Sequence, residues 1–166
     1  MDSMDLTQAD TISMEMWEEL AKEGSEAVIT VNTNGISMWP LLRSRNDSVR
    51  ITYPRRELMI GDFIMFHRAD GKEIAHRICW MDDTMLETLG DNCTYSDGKF
   101  PRSKVVGLVT HVCRKGHLIH VDTPFWRGYG RFMIWSNPFR MFVRKKIYHP
   151  LRHLAARIIK GNKNRS

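Results

Sequence analysis

The chain has 166 residues, of which 42% are hydrophobic and 27% charged, and a net charge of +6. That is enough for one domain with a real core and leaves little room for a second. No window approaches the roughly 18 uninterrupted apolar residues of a membrane-spanning helix, and the acidic, polar start Met1-Asp2-Ser3-Met4-Asp5-Leu6 does not read as a secretory signal peptide. Cys79, Cys93 and Cys113 form no C-x-x-C pair and are odd in number. This argues against a disulfide framework or zinc site and for a reducing, cytoplasmic setting, with no metal or cofactor expected.

Residues 8–23 predict a helix, with Ile12, Met16 and Leu20 on one face and Gly24 as its stop. Runs of strand character follow at 27–31, 48–52, 62–66, 74–80, 85–89, 105–112 and 118–121. Asp70-Gly71 is a hairpin signal between the third and fourth. The spacing predicts a compact, mainly β domain. After Asp122, the pairs Thr123-Pro124, Asn137-Pro138 and His149-Pro150 each read as a helix start, predicting basic helices at about 124–135, 138–148 and 150–160. The expected organisation is an N-terminal helical segment over 1–25, a β core over 26–122 and a helical tail over 123–166.

The charge is divided along the chain. Residues 123–166 hold eleven Lys or Arg and no Asp or Glu, so the first 122 residues are net acidic. Half of the aromatic residues also lie in this tail, among them Phe125, Trp126, Trp135 and Phe142. Rings interleaved with cations suit an anionic membrane surface, which would make the protein peripheral at the inner membrane face. Packing of the rings on the β core with solvated cations explains the same composition. Nucleic acid is the weakest partner, because no nucleic-acid motif is present.

Three stretches carry chemistry. Gly35-Ile36-Ser37-Met38-Trp39-Pro40 holds a serine, Ile74-Ala75-His76-Arg77 a histidine, and Gly90-Asp91-Asn92 with Asp97 two aspartates. A serine hydroxyl needs a base within reach, and the base needs an orienting group. Each residue also has a plain explanation. Ser37, Asp91 and Asp97 suit turns, and His76 suits a half-buried strand. His67 competes as the base. If Asp70-Gly71 is a two-residue turn, Met65 lies opposite His76, Ile74 lies opposite His67, and all four share one sheet face.

The order and spacing over residues 28–112 resemble the signal peptidase and LexA-like serine protease superfamily. The nearest likeness is to the eukaryotic and archaeal branch of signal peptidases, which uses a histidine base. Ser37-Met38-x-Pro40 resembles the nucleophile box, Asn46-Asp47-Ser48-Val49 a Gly-Asp turn and strand, and Ile60-Gly61-Asp62-Phe63-Ile64-Met65-Phe66 the next strand. Ile74-Ala75-His76-Arg77-Ile78 resembles the strand of the base, Gly90-Asp91-Asn92 the final box, and Val105-Val106-Gly107 the closing strand. Asp97 stands where that branch carries a second functional aspartate.

The resemblance implies a compact antiparallel β-barrel-like peptidase core. Within it Ser37 is the nucleophile, His76 the general base and Asp97 the orienting acid, while Asp91 shares that task or holds the loop. It selects His76 over His67. Gly35 stands where many signal peptidases have a hydroxyl side chain, so the oxyanion site would use backbone N–H groups, that of Ser37 included. Gly35, Ile36, Met38 and Trp39 are expected at the oxyanion site and substrate cleft. The peptide or protein substrate is expected to bind as an added strand with small residues before the scissile bond.

The leading expectation is an endopeptidase that trims a leader or signal-like peptide. Gly-x-Ser-Met also fits a LexA-like regulator that cuts itself, although about 34 residues ahead of the box are few for a DNA-binding domain. An inactive module binding extended peptides or membranes is the third expectation. It is motivated by Gly35 and by the lack of the family's upstream anchor.

Overall fold

Burial that alternates along the chain marks strands with one covered face, and continuous burial marks strands inside a sheet. The computed structural model, which describes residues 16, 17, 19, 27–43 and 47–148, contains both kinds. β1 (Val28–Asn32) and β2 (Asp47–Thr52) open the sheet, and β2 buries Asp47, Val49 and Ile51 in turn. β3 (Phe63–His67) buries four consecutive residues because it lies between β4 (Glu73–Met81) and β7 (Val105–Arg114). β5 (Met85–Leu89), β6 (Lys99–Pro101) and β8 (His117–His120) complete an eight-stranded antiparallel sheet. Its order is β1-β2-β7-β3-β4-β5-β6, with β8 paired to β7. The long β7 holds β2 along one side, and β3 and β8 in succession along the other.

The seven expected strands all form, within a residue or two of their predicted ends. β6 was not expected: Lys99-Phe100-Pro101 is too short to show alternation, and Pro101 argues against a strand except at an edge. Among the described residues it is an edge strand, paired only to β5, and Phe100 stacks on Phe66 at 4.3 Å between centroids.

Of the helix expected over 8–23, residues 16, 17 and 19 are described, and all three are helical. The inward face differs from the predicted one. Met16 is exposed, whereas Trp17 is fully buried with Val49, Ile51, Phe63 and Met65. Gly107 makes the room, since a Cβ there would stand 2.5 Å from Ile51 Cγ2 and 3.1 Å from Trp17 Cη2. A second cluster, Leu58, Ile64, Ile78, Leu86 and Leu108, fills the opposite side. Truncating a residue as buried as Ile64 to Ala typically costs about 2–5 kcal/mol.

The hairpin register corrects the two-residue turn. Arg68 N–H donates to Lys72 O at 2.9 Å, and Gly71 N–H to Arg68 O at 3.0 Å with Gly71 at φ +79°. Ala69, Asp70 and Gly71 thus form a three-residue loop ending in a left-handed glycine, a common hairpin alternative. The extra loop residue pairs Ile64 with His76 and His67 with Glu73. One step of register moves side chains to the other face, so His67 and His76 lie on opposite faces.

The chain divides into two compact units, Met1–Ile134 and Trp135–Ser166. The first runs beyond Asp122 and includes the start of the C-terminal helix, Pro124–Val143. There the backbones nearly touch, because a Cβ on Gly130 would lie 2.5 Å from Gly61 O. The break expected at Asn137-Pro138 does not occur. The helix carries Pro138 inside it, forgoing one backbone hydrogen bond, and a π-turn Arg144–Tyr148 follows. The helix expected at 150–160 lies outside the described residues. No described helix is long and apolar enough to cross a membrane.

Candidate active site

β4 presents His76 and Arg77 to opposite faces, and each meets an aspartate from the loop after β5. His76 is 6% exposed. Its Nδ1 lies 2.6 Å from Asp97 Oδ2, which also accepts from Thr88 Oγ1 at 2.7 Å. Asp97 is fixed through its backbone as well, its N–H donating to Thr88 O at 2.9 Å. Burial pushes the Asp97 carboxyl up, but the hydrogen bond and charge of His76, with help from Thr88 and Arg68, hold it below the usual carboxylate range. Burial pushes His76 down, but Asp97 and Cys93 outweigh it, so the imidazole is raised from 6.5 to about 9.

Asp91 is engaged elsewhere. Its Oδ1 accepts from Arg77 Nε at 2.8 Å, and both side chains are buried. Arg77 also donates to Gly61 O and lies between the rings of Phe63 and Tyr129. Of the two roles expected for Asp91, the geometry gives it the holding of the loop. Of the two aspartates, Asp97 is the one that meets the imidazole.

The Ser37 turn docks on that same loop. Asn92 N–H donates to Ser37 O at 2.7 Å, the Asn92 side-chain amide to Ile36 O at 3.0 Å, and Asp91 N–H to Met38 Sδ at 3.5 Å. Gly90 is where the parts converge: a Cβ there would lie 2.8 Å from both His76 Nε2 and Ser37 O, and 2.7 Å from Cys93 Sγ. Only glycine fits such an approach. Ser37 and His76 are thus brought to one spot. Among the described residues the Ser37 hydroxyl makes no hydrogen bond, and the N–H groups of Ser37 and Met38 have no protein acceptor.

Asp47 anchors the far end of the turn. It accepts from Arg43 N–H at 2.8 Å and from Arg114, which also bonds Leu41 O. Burial pushes its carboxyl up, but Arg114 and Arg43 bring it below the ordinary value. Thr88, Arg77 and Arg114 are the site-building residues that sequence reasoning missed. Period-2 spacing from Gly90 is a signal for Thr88, whereas Arg77 and Arg114 carry none, because their partners are remote in sequence.

A cleft of about 470 Å³ runs beside Ser37, between β1 with its following loop and the start of β4. Val31, Met38, Leu42, Met65 and Ala75 give it apolar walls, and Gly35 and Ser37 line it as well. Gly35 holds φ +104°, which a residue with a side chain rarely adopts. Ile36 and Trp39, expected to line the cleft, are exposed and form no part of its wall. Trp39 N–H donates to Ile36 O, and so tight a turn buries only the side chains on its inner side, here Met38. Comparison with protein-family models and with curated protein sequences gives no match to this chain.

Proposed function

We propose that this chain is a serine endopeptidase of the signal-peptidase and LexA-like kind, with a barrel-like peptidase core, acting on a leader or signal-like peptide. The observation that carries the reading is the Asp97–His76 pair, whose second imidazole nitrogen lies beside the docked Ser37 turn at Gly90. Ser37 attacks the scissile carbonyl, His76 takes its proton and returns it to the leaving amine, and Asp97 orients the imidazole. The hydroxyl–imidazole hydrogen bond forms when substrate arrives, as catalytic hydrogen bonds often tighten only in the complex. The backbone N–H groups of Ser37 and Met38 serve the oxyanion.

The cleft supports an extended substrate. Among the described residues β1 is an edge strand with an unpaired side, suited to accept a peptide as an added strand. The apolar wall around Ala75 favours a small apolar side chain before the scissile bond. Purified protein incubated with peptides carrying Ala at that position should cleave at one bond. Equal cleavage by Ser37→Ala would remove the mechanism.

A membrane location is the second part of the proposal. In the second unit Trp135, Phe139 and Phe142 are 79%, 71% and 57% exposed, and their i, i+4, i+7 spacing puts them on one helix face. Residues 135–166 contain no acid, and Arg140, Arg144, Lys145 and Lys146 flank the aromatics. That composition matches an anionic bilayer surface, with rings at headgroup depth and cations on lipid phosphates.

A further inference from the structure

Cys93 is a nucleophile that the serine mechanism leaves unused. It closes the turn after Gly90, donating its N–H to Gly90 O at 2.9 Å. Its Sγ and His76 Nε2 border one small space, 2.7 and 2.8 Å from where a Gly90 Cβ would stand, and Cys93 is among the groups that raise the imidazole. With Asp97 Oδ2 2.6 Å from the other ring nitrogen, thiol, imidazole and carboxylate stand in one cluster. The remaining cysteines supply an internal contrast. Cys79 donates to Glu87 O, and burial pushes its thiol up to about 11. Cys113 is half-buried on β7 opposite Ser48. It has no imidazole or carboxylate partner among the described residues.

We propose that Cys93 is a second nucleophile of this centre and a site of reversible modification by small disulfides. The imidazolium, held by Asp97, stabilises the Cys93 thiolate as the thiol proton passes to solvent, and the thiolate attacks one sulfur of the disulfide. The Cys93 sulfur bond forms as the disulfide bond breaks, and the other sulfur departs as a thiolate that takes a proton from solvent according to its own acidity. A thiol and a disulfide thus become a mixed disulfide and a thiol, with no other oxidant. The added group sits against Ser37 O and His76 Nε2, so modification shuts the serine site and a dithiol reopens it. That last consequence rests on the peptidase reading, whereas the modification does not.

The test uses the full chain with 5,5′-dithiobis(2-nitrobenzoate) at neutral pH, following thiolate release and assigning each cysteine by peptide mass. Cys93 should react on the order of tenfold faster than Cys113. His76→Asn should abolish that advantage while leaving the Cys113 rate unchanged, which also reports an intact fold. Ser37→Ala should keep the fast Cys93, so failure of the peptidase reading is distinguishable from failure of this one. Cys93 reacting no faster than Cys113, or keeping its rate in His76→Asn, overturns the proposal. Should Cys79 become reactive in His76→Asn, marking an opened core, the parent's ratio of Cys93 to Cys113 decides alone.

Discussion

His76 and Arg77 are neighbours on one strand, and each pairs with an aspartate of the next loop, yet the two pairs are built for different tasks. Arg77 and Asp91 are both buried, with Phe63, Tyr129 and Gly61 around the guanidinium. Removing either partner would leave the other's charge in buried surroundings. His76 and Asp97 are equally close but border the docked Ser37 turn, and the second ring nitrogen meets Cys93 and the Gly90 backbone. The first pair fixes where the loop is, and the second, on the proposed reading, supplies the base. Alternation of side chains along a strand lets one dipeptide serve both purposes.

Substitutions can separate the two. The largest effect is expected at the His76–Asp97 pair and the serine it would serve: Ser37→Ala, His76→Ala or Asp97→Asn should lower kcat/KM by roughly 10³- to 10⁴-fold. Denaturant unfolding of Asp97→Asn should stay within about 2 kcal/mol of the parent. The buried pair should behave in reverse. Arg77→Ala or Asp91→Ala should cost about 3–5 kcal/mol of stability, and a double variant Arg77→Met with Asp91→Leu should recover much of it. Recovery of stability in the double variant, with activity still low because the loop has shifted, would sharpen the distinction. Comparable losses of stability at both pairs would break it.

Gly90→Ala tests the convergence point. The new methyl group must displace His76, Cys93 or the Ser37 carbonyl, so activity should fall on the order of 100-fold, with about 1–3 kcal/mol lost in stability.

The pH profile should also differ between the pairs. A base that titrates at about 9 is mostly protonated at neutral pH, so kcat/KM should rise through pH 7 to 9. Cys93→Ala should move that limb to lower pH by removing a partner of the charged imidazole. Because His76 titrates higher folded than unfolded, its contribution to stability is complete below pH 6.5 and lost as pH rises through about 9. Asp97, shifted downward, contributes above its ordinary value of 3.8 and loses that contribution as pH falls through its folded value. Thermal unfolding between pH 6 and 10 reads the first of these. The smallest effect is expected at the tail, where Trp135→Ala should weaken binding to anionic vesicles by about tenfold and added salt should weaken it further.

Much of the sheet was legible in the sequence, because period-2 burial and turn residues are local signals. Seven strands and the pairing of β3 with β4 came from residues alone, whereas the grouping of Ser37, His76 and Asp97 as candidates came from the resemblance. Three things came from neither. Trp17 replaced Met16 as the buried helix residue because Gly107 leaves a space for it, and that space is made by a strand ninety residues away. By sheet parity His67 could not be told from His76 until the three-residue loop set the register, since a change of one loop residue flips every side chain beyond it. The partners of Asp91 and Asp97, and the contact of Cys93 with the imidazole, depend on how one loop folds back on β4. A linear spacing holds the residue types that chemistry needs, but distance and direction between them are properties of the packed sheet.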